Sequence, residues 1–450
     1  MWAGTPVRHI RTGRPGLPHL AGARHSREGT GVPDHDPIVI AGAGPAGLSA
    51  AWALADAGVP VAVFEIHPRV MPDWRASTFH PPTLELLDRV GVAKDMLAEG
   101  LAVDRFQHRD RRRGLVAEFD LNLLAPDTRF PFRLQLNQQR LAQILAERLA
   151  TSPVATLHFN SEVVDAHQDD HGVTVTVRTS SGEERHRGRL LLGADGAASR
   201  VRQIIGATFD GITYEEHYLI VSIAEELDQA IPDLGYVNYI ADPVEALFIL
   251  RTPESWRVLW PVPPGMDREQ ALGDAYIQDR LQAVAPQDKD YQVIDRQLYS
   301  VHQRVASTFR DGRILLLGDA AHINSPFGGM GLNNGIHDGF DLSQRIVRVL
   351  QNGEASLDEE LETYADLRRT VALEYVREIT HRNTRRLQER SEAAREREHA
   401  ELAAIAADPE RAREWLLQSS MIASVRTHGI GEPPRRHQPA REASHDTEDR

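Results

Sequence analysis

Apolar residues first gather in "PIVIAGAGPAGLSAAWALADAGVPVAVFE", Pro37 to Glu65. Ile38 to Ala41 make a short run with β-branched members, the pattern of a strand buried on both faces. "AGLSAAWALADAG" carries alanine-rich helical spacing that stops at Gly58, which reads as a C′ glycine. "VPVAVFE" is a second buried strand, closing a βαβ unit of about 30 residues. Farther on, "TVTVRTSSGEERHRGRLLLGAD" holds two strand-like runs around "SSG", a hairpin signal. Short alternating segments between Thr208 and Tyr299, such as "EALFILRT" and "SWRVLWPVP", predict an antiparallel sheet separate from the parallel one. "GRILLLGDA" then returns to a fully apolar strand. Beyond Gly353, Ser356 with Glu359 offers a capping box. Leu357, Leu361, Tyr364, Leu367, Val371, Tyr375 and Ile379 follow at helical spacing. The Arg/Glu-rich run to about Ala407 reads as a solvated helical face, able to dimerise or simply to cover its own domain.

Composition narrows the function. A chain of 450 residues buries a large core and favours more than one domain. A net charge of −14 argues against nucleic acid as the main partner. The absence of cysteine excludes disulfides, thiolate metal sites and a cysteine nucleophile, and fits a reducing cytoplasm. The histidines show no metal-ligand spacing. No apolar run approaches the roughly 20 residues of a membrane span. Residues 1–36 are rich in Gly, Pro, Arg and His and lack a secretory h-region, so they read as a disordered extension or an early start site. Residues 426–450 read as a disordered tail.

Candidate chemistry begins at Gly42-x-Gly44-x-x-Gly47, which follows a strand and opens a helix. A phosphate cradle needs glycine there for a tight turn, for close backbone approach to pyrophosphate, and for helix–strand packing. Glu65 ends the next strand 18 residues after Gly47, where a carboxylate can accept ribose hydroxyls. That acid would repel a 2′-phosphate, which favours FAD or NAD over NADP at this site. Two more aspartates end apolar strands: Asp195 in "LLLGADGAAS" and Asp319 in "LLLGDAAHINSPFGGMGLNNG". Alone, the first reads as a turn initiator and the second as a helix cap.

In this order the three motifs resemble the FAD-dependent monooxygenases of the para-hydroxybenzoate hydroxylase type, the single-component flavoprotein aromatic hydroxylases. "DWRASTFHPPTLELL" and "LQLNQQRLAQIL" resemble that family's arginine- and glutamine-containing segments. The "HPPT" of His80 to Thr83 departs from the family's usual "HPRT". The resemblance implies a Rossmann-like α/β FAD-binding domain with a mainly parallel sheet (37–207 and 300–353). An antiparallel-sheet substrate domain (208–299) interleaves with it, and C-terminal helices (354–425) follow. It also implies residue roles. Gly42, Gly44, Pro45, Ala46 and Gly47 would lie at the pyrophosphate and Glu65 at the ribose. Arg75 and Gln138 would reach the cofactor, with Gln135 and Gln139 as competitors for Gln138. Asp195 would serve FAD and the nicotinamide donor. Gly318 and Asp319 would hold the ribityl chain, and the Gly331, Leu332 and Asn333 backbone the flavin pyrimidine edge. Pro326 would sit beside the reactive face.

The chemistry implied is NADH- or NADPH-dependent hydroxylation of an aromatic or polycyclic compound with O2 through a flavin C4a-hydroperoxide. A helix starting near Leu332 would aim its positive end at the reduced flavin. A single dinucleotide fingerprint implies that the nicotinamide donor visits transiently, without a Rossmann domain of its own. Tyr236, Asn238, Tyr239, Arg251, Trp256 and Trp260 are substrate-pocket candidates, with packing and rim roles as the plain alternative. His322 and His337 are candidates for proton transfer or for structure. Competing functions are an FAD epoxidase or prenyl-chain reductase on the same fold, and a non-catalytic FAD-bound interaction protein.

Overall fold

In the computed structural model residues 36–431 are described, apart from 75, 354, 355, 388 and 390. Arg75, almost all of the 1–36 extension and most of the 426–450 tail lie outside the described residues. Ile38–Ala41 occupies the interior of a six-stranded sheet, between Leu190–Gly193 and Val61–Glu65. Ile314–Leu316 and Ala155–Phe159 extend it in parallel, and only the edge strand Arg310–Asp311 runs antiparallel. Every residue of the two strands 38–41 and 190–193 is buried, as a parallel sheet covered on its faces requires. The first helix, Pro45–Asp56, ends before Gly58, whose φ of 79° is the left-handed geometry a C′ glycine supplies. The expected hairpin pairs Gly172–Thr179 with Gly182–Gly188.

A second, eight-stranded sheet runs His322–Ile323, Val293–Ala306, Phe209–Ile223, Trp256–Val262, Leu247–Arg251, Val237–Ala241, Arg105–Asp110 and Gly114–Asp120. It is wider than the 208–299 span that alternation predicts. Arg105–Asp110 pairs in parallel with Val237–Ala241, so two strands come from within 37–207, and Val293–Ala306 runs across residue 299. "RFQHRD" is too short and polar to announce membership of that sheet, and the pairing itself supplies it. Alternation gives the sheet two unlike faces. Leu219, Val221, Trp256, Val258 and Trp260 pack with Ile277 and Leu281 of helix Asp274–Val284. Tyr218, Ile220, Tyr239 and Leu259 pack with Leu387, Leu402 and Leu416 of the C-terminal helices.

Those helices are Leu357–Thr370, Arg377–Leu387, Glu392–Ala407, Pro409–Ser419 and Ile422–His428, with a π-helical turn at Val371–Val376. Ser356 stands at the N-cap, but its side chain makes no capping hydrogen bond, so the expected capping box does not form. Asp358, Glu359 and Glu360 in the first turn favour the positive end of the helix dipole instead. Helix Glu392–Ala407 is more than a solvated face: it rests on strand Gly114–Asp120 and buries Leu402. The last helix runs past the expected limit at 425, and Arg426 reaches Asp127 at 2.6 Å. Among the described residues no helix is long and apolar enough to cross a membrane.

Candidate functional site

The three glycines of the first turn are held for three different reasons. Gly42 has φ +104°, and a Cβ there would fall 2.3 Å from the Ala194 carbonyl oxygen. A Cβ on Gly47 would fall 2.3 Å from the Gly42 carbonyl oxygen. Gly44 has ordinary backbone angles, and a Cβ on it would meet nothing within 4 Å. Gly42 and Gly47 are thus demanded by the fold, whereas the bareness of Gly44 leaves space for something else. That space is a cavity of about 600 Å³, lined by Gly42, Gly44, Pro45, Glu65, Asp73, Gln138, Gln139 and Asp195. No side chain caps the helix that starts at Pro45, so its free N–H groups and positive dipole end serve an anion in the cavity. Of the competing glutamines, Gln135 is buried and accepts the Thr78 hydroxyl at 3.0 Å, while Gln138 and Gln139 line the cavity.

Two carboxylates on the cavity wall already brace its frame. Glu65 accepts the Ala43 N–H at 2.7 Å and the His67 N–H at 2.9 Å, tying the second strand to the glycine turn. Asp195 accepts the Ser199 hydroxyl at 2.5 Å and the N–H groups of Arg200 and Val201 at 2.7 and 3.0 Å. Both Glu65 oxygens and the Asp195 Oδ1 each accept one of these bonds, which leaves each of the three a lone pair for a ligand hydroxyl.

The glycine-rich loop leads into the long helix Met330–Asn352, which begins two residues before the expected Leu332. Gly329, at φ 65°, is its N-cap and gives no side-chain cap. Gly331 and Leu332 are half-buried in the first turn, and Asn333 is fully buried. The Asn333 amide makes four hydrogen bonds: it accepts from His80 N–H and Thr83 hydroxyl and donates to the Thr78 and Gly329 carbonyls. The "HPPT" segment is thereby locked to the helix start. Gly335 and Gly339 cost helix propensity, yet they allow close contact. Added Cβ atoms would lie 3.0 Å from Gly318 Cα and 2.9 Å from the Ala46 carbonyl oxygen. Asp319 is exposed in the adjoining turn.

His322 does not face a cavity. It is 3 % exposed and bonds Asp338 at 2.7 Å and Asn334 at 2.9 Å. Asp338 also accepts the Gly318 N–H at 3.0 Å and Arg368 Nε at 2.7 Å. Burial alone would raise the Asp338 carboxyl, but His322 and Arg368 bring it below the usual carboxylate range. The sequence reading missed Asp338 and Arg368, which fix the Gly318 turn. His337 is buried against the Thr83 hydroxyl at 2.8 Å; burial, then the Arg368 charge, lowers its pKa to about 3.

A second cavity, with about 30 Å³ of free space, lies between the antiparallel sheet and the C-terminal helices. Its wall includes Phe106, His108, Arg133, Tyr239, Leu402 and Trp415, together with Gly328 of the glycine-rich loop. Trp415 stacks on Phe119 at 4.2 Å, and His108 stacks on Tyr239 at 5.2 Å. Of the sequence-stretch candidates for a substrate pocket, Tyr239 is the one among its lining residues. Trp256 and Trp260 are buried in the core on the opposite face of the sheet, because they alternate with Leu259. Tyr236 is 40 % exposed, its ring edge-on to Trp256 at 5.9 Å. Arg251 pairs with Glu226 at 2.8 Å on the rim, and Asn238 is buried, donating to the Gly235 and Ile249 carbonyls. Sequence reasoning missed Phe106, His108, Arg133 and Trp415, which only the strand pairing and the C-terminal helices bring together.

Comparison with known proteins agrees with this geometry. The sequence profile of a family described as "FAD binding domain" matches residues 36–379. Para-nitrophenol 4-monooxygenase of Pseudomonas sp. (strain WBC-3) is 34% identical over 391 residues, 85% of this chain and 94% of that protein. The crystal structure of p-nitrophenol 4-monooxygenase PnpA from Pseudomonas putida DLL-E4 superposes with a TM-score of 0.82 at 31% identity, covering 89% of this chain and 99% of that one. A ternary complex of aklavinone-11 hydroxylase with FAD and aklavinone superposes with a TM-score of 0.70 at 28% identity, covering 79% and 70%.

Proposed function

Because the chain belongs to the FAD binding domain family, we propose that it is an FAD-dependent monooxygenase that hydroxylates a small aromatic compound with NADH or NADPH and O2. Bound FAD supplies the redox chemistry, passing reducing equivalents from the nicotinamide to O2. The chain's part is to bind, to orient and to exclude water. Gly44 and the uncapped helix behind it receive the pyrophosphate, and Glu65 the adenosine ribose. Gln138 and Asp195 hold the cofactor from the far wall of the cavity, with Arg75 assigned by the family resemblance. Asp319 serves the ribityl chain. By the family resemblance, the first turn of the long helix, Gly331 to Asn333, would offer its N–H groups to the pyrimidine edge of the flavin, where negative charge gathers on reduction, and Pro326 would lie near its reactive face.

One observation carries the reading: the loop that starts the long helix also lines the aromatic cavity, through Gly328. Cofactor and substrate would then meet across a single stretch of bare backbone. The test is oxidation of NADH and NADPH by the FAD-loaded protein across a panel of phenols. At least one phenol should accelerate oxidation and emerge with an oxygen atom from labelled O2. A protein that retains no flavin absorbance after FAD is added refutes the reading.

A further inference from the structure

Side chains hold the glycine-rich loop from two directions. Three successive carbonyls, those of Phe327, Gly328 and Gly329, each meet a different side chain. His80 Nε2 bonds the Gly328 carbonyl at 2.8 Å; burial, then the Arg133 charge, lowers the His80 pKa to about 3, so a neutral ring donates there. The Asn333 amide donates to the Gly329 carbonyl at 2.6 Å. Both of these side chains are fully buried, and neither lines the aromatic cavity. The third tie comes from elsewhere. Asn383, on helix Arg377–Leu387, donates to the Phe327 carbonyl at 3.3 Å and lines the aromatic cavity together with Gly328. A Cβ on Gly328, whose φ is +112°, would fall 3.0 Å from the Asn383 amide nitrogen, so this side chain lies against bare backbone.

The helix presents one face to the loop. Thr380, Asn383, Thr384 and Leu387 share that face by their spacing. The Thr380 hydroxyl accepts from Gln303 at 3.0 Å. The Thr384 hydroxyl donates to the Thr380 carbonyl at 2.7 Å, which leaves its oxygen to accept the Ser325 hydroxyl at 2.7 Å. Leu387 lines the cavity beside Asn383. Just before this helix comes the π-helical turn Val371–Val376, a geometry frequent at functional sites. Val371, Val376 and Ile379 pack there on Met330, the first residue of the long helix. Ser325 and Thr384 are both buried, so their bond holds whether the cavity is full or empty. Asn383 is only half-buried, and its bond is the longest of the three carbonyl ties. A hydrogen bond open to water contributes little, because water competes for both partners; shut away from water the same bond strengthens.

We propose that Asn383 is a positioning residue: an aromatic compound in the cavity covers its amide, tightens its bond to the Phe327 carbonyl, and thereby fixes the glycine-rich loop from which the long helix starts. The inference rests on the aromatic-hydroxylase reading above. Asn383 acts through the loop and touches no reacting atom.

The test uses the full-length FAD-loaded protein and a panel of phenol, 4-chlorophenol and 4-nitrophenol, taking the compound that most accelerates nicotinamide oxidation by wild type. Hydrogen exchange of the loop amides, followed by mass spectrometry on peptides spanning 325–332, should slow about 5- to 10-fold when wild type is saturated with that phenol, the equivalent of one ordinary hydrogen bond. Asn383→Leu, similar in shape but without a donor, should bind the phenol within about threefold of wild type. It should lose the slowing of exchange, and it should lose about 5- to 10-fold of the accelerated oxidation in kcat with KM little changed. Asn383→Gln, which keeps the donor, should recover part of both. Thr384→Val should speed loop exchange equally with and without the phenol. An Asn383→Leu loop that still slows on phenol binding overturns the proposal and leaves the hydroxylase reading intact. So does a loss confined to KM, which would make Asn383 a part of the cavity wall only. If no phenol accelerates nicotinamide oxidation by wild type, the hydroxylase reading fails and the proposal falls with it.

Discussion

The two cavities are built on opposite principles. The cofactor cavity is cut largely from backbone: its wall turns on glycines, and two of its charges, Glu65 and Asp195, are engaged in bracing loops. The aromatic cavity is built from large side chains contributed by distant segments, and it leaves a guanidinium unmatched. A backbone site binds what every member of a family shares, because its contacts do not depend on side-chain identity. A side-chain site can change its ligand one substitution at a time. The same sequence thus carries a fixed half and an adjustable half.

The sharpest way to break this contrast is to damage the fixed half where its bracing is buried. Asp338→Ala should destabilise the protein by about 3–5 kcal/mol in urea unfolding, because it strands Arg368 in the core. A loss below about 1 kcal/mol would show that the Gly318 turn does not depend on it. Next come the glycines. Gly42→Ala should cost about 2–3 kcal/mol, from the left-handed backbone and the overlap with Ala194. Gly44→Ala should leave the melting temperature unchanged while weakening FAD binding about tenfold, a loss of about 1.4 kcal/mol. Equal thermal losses in the two variants would refute the separation of a folding glycine from a ligand glycine.

Acid should act on both halves through their buried histidines. Burial is the first cause that lowers His80, His108 and His337 to about 3, so the unfolded chain takes up the protons that the folded chain refuses. Stability contributed by each is present above pH about 6.5 and is lost as pH falls from there toward 3, by on the order of 1 kcal/mol per unit for each histidine. His337→Gln should flatten the dependence of urea midpoint on pH between 6.5 and 5; an unchanged slope contradicts the assignment. The smallest effect is reserved for the rim. Arg251→Ala should change stability by no more than about 0.5 kcal/mol and leave the aromatic preference untouched, since its pair with Glu226 is exposed. Tyr239→Phe should shift substrate KM instead.

Legibility in the sequence followed the same division. Gly42, Gly44, Gly47 and Glu65 were readable because a βαβ unit is local: strand, turn and helix lie within 28 residues, 38 to 65. The glycine-rich loop was readable by its place behind an apolar strand. The aromatic cavity was not. Trp256 and Tyr239 look equally suitable in one dimension, and only the pleat and the two unlike covers of the sheet send them to opposite faces. Arg133 and Trp415 are 282 residues apart (415 − 133), and no periodicity marks their meeting. His322 misled because a histidine beside a glycine loop carries no sign of the aspartate about two helix turns beyond the loop that claims it.

The parallel pairing of Val237–Ala241 with Arg105–Asp110 has a consequence for how such a chain can be rebuilt. A cassette cut at residues 208 and 299 and moved between relatives would leave behind two of the strands that complete its sheet, and would carry away an open, apolar edge. Recombination that respects this protein must take the 105–120 hairpin along with the central strands. The hairpin also brings Phe106 and His108, so whatever inherits the sheet inherits part of its taste for ligands.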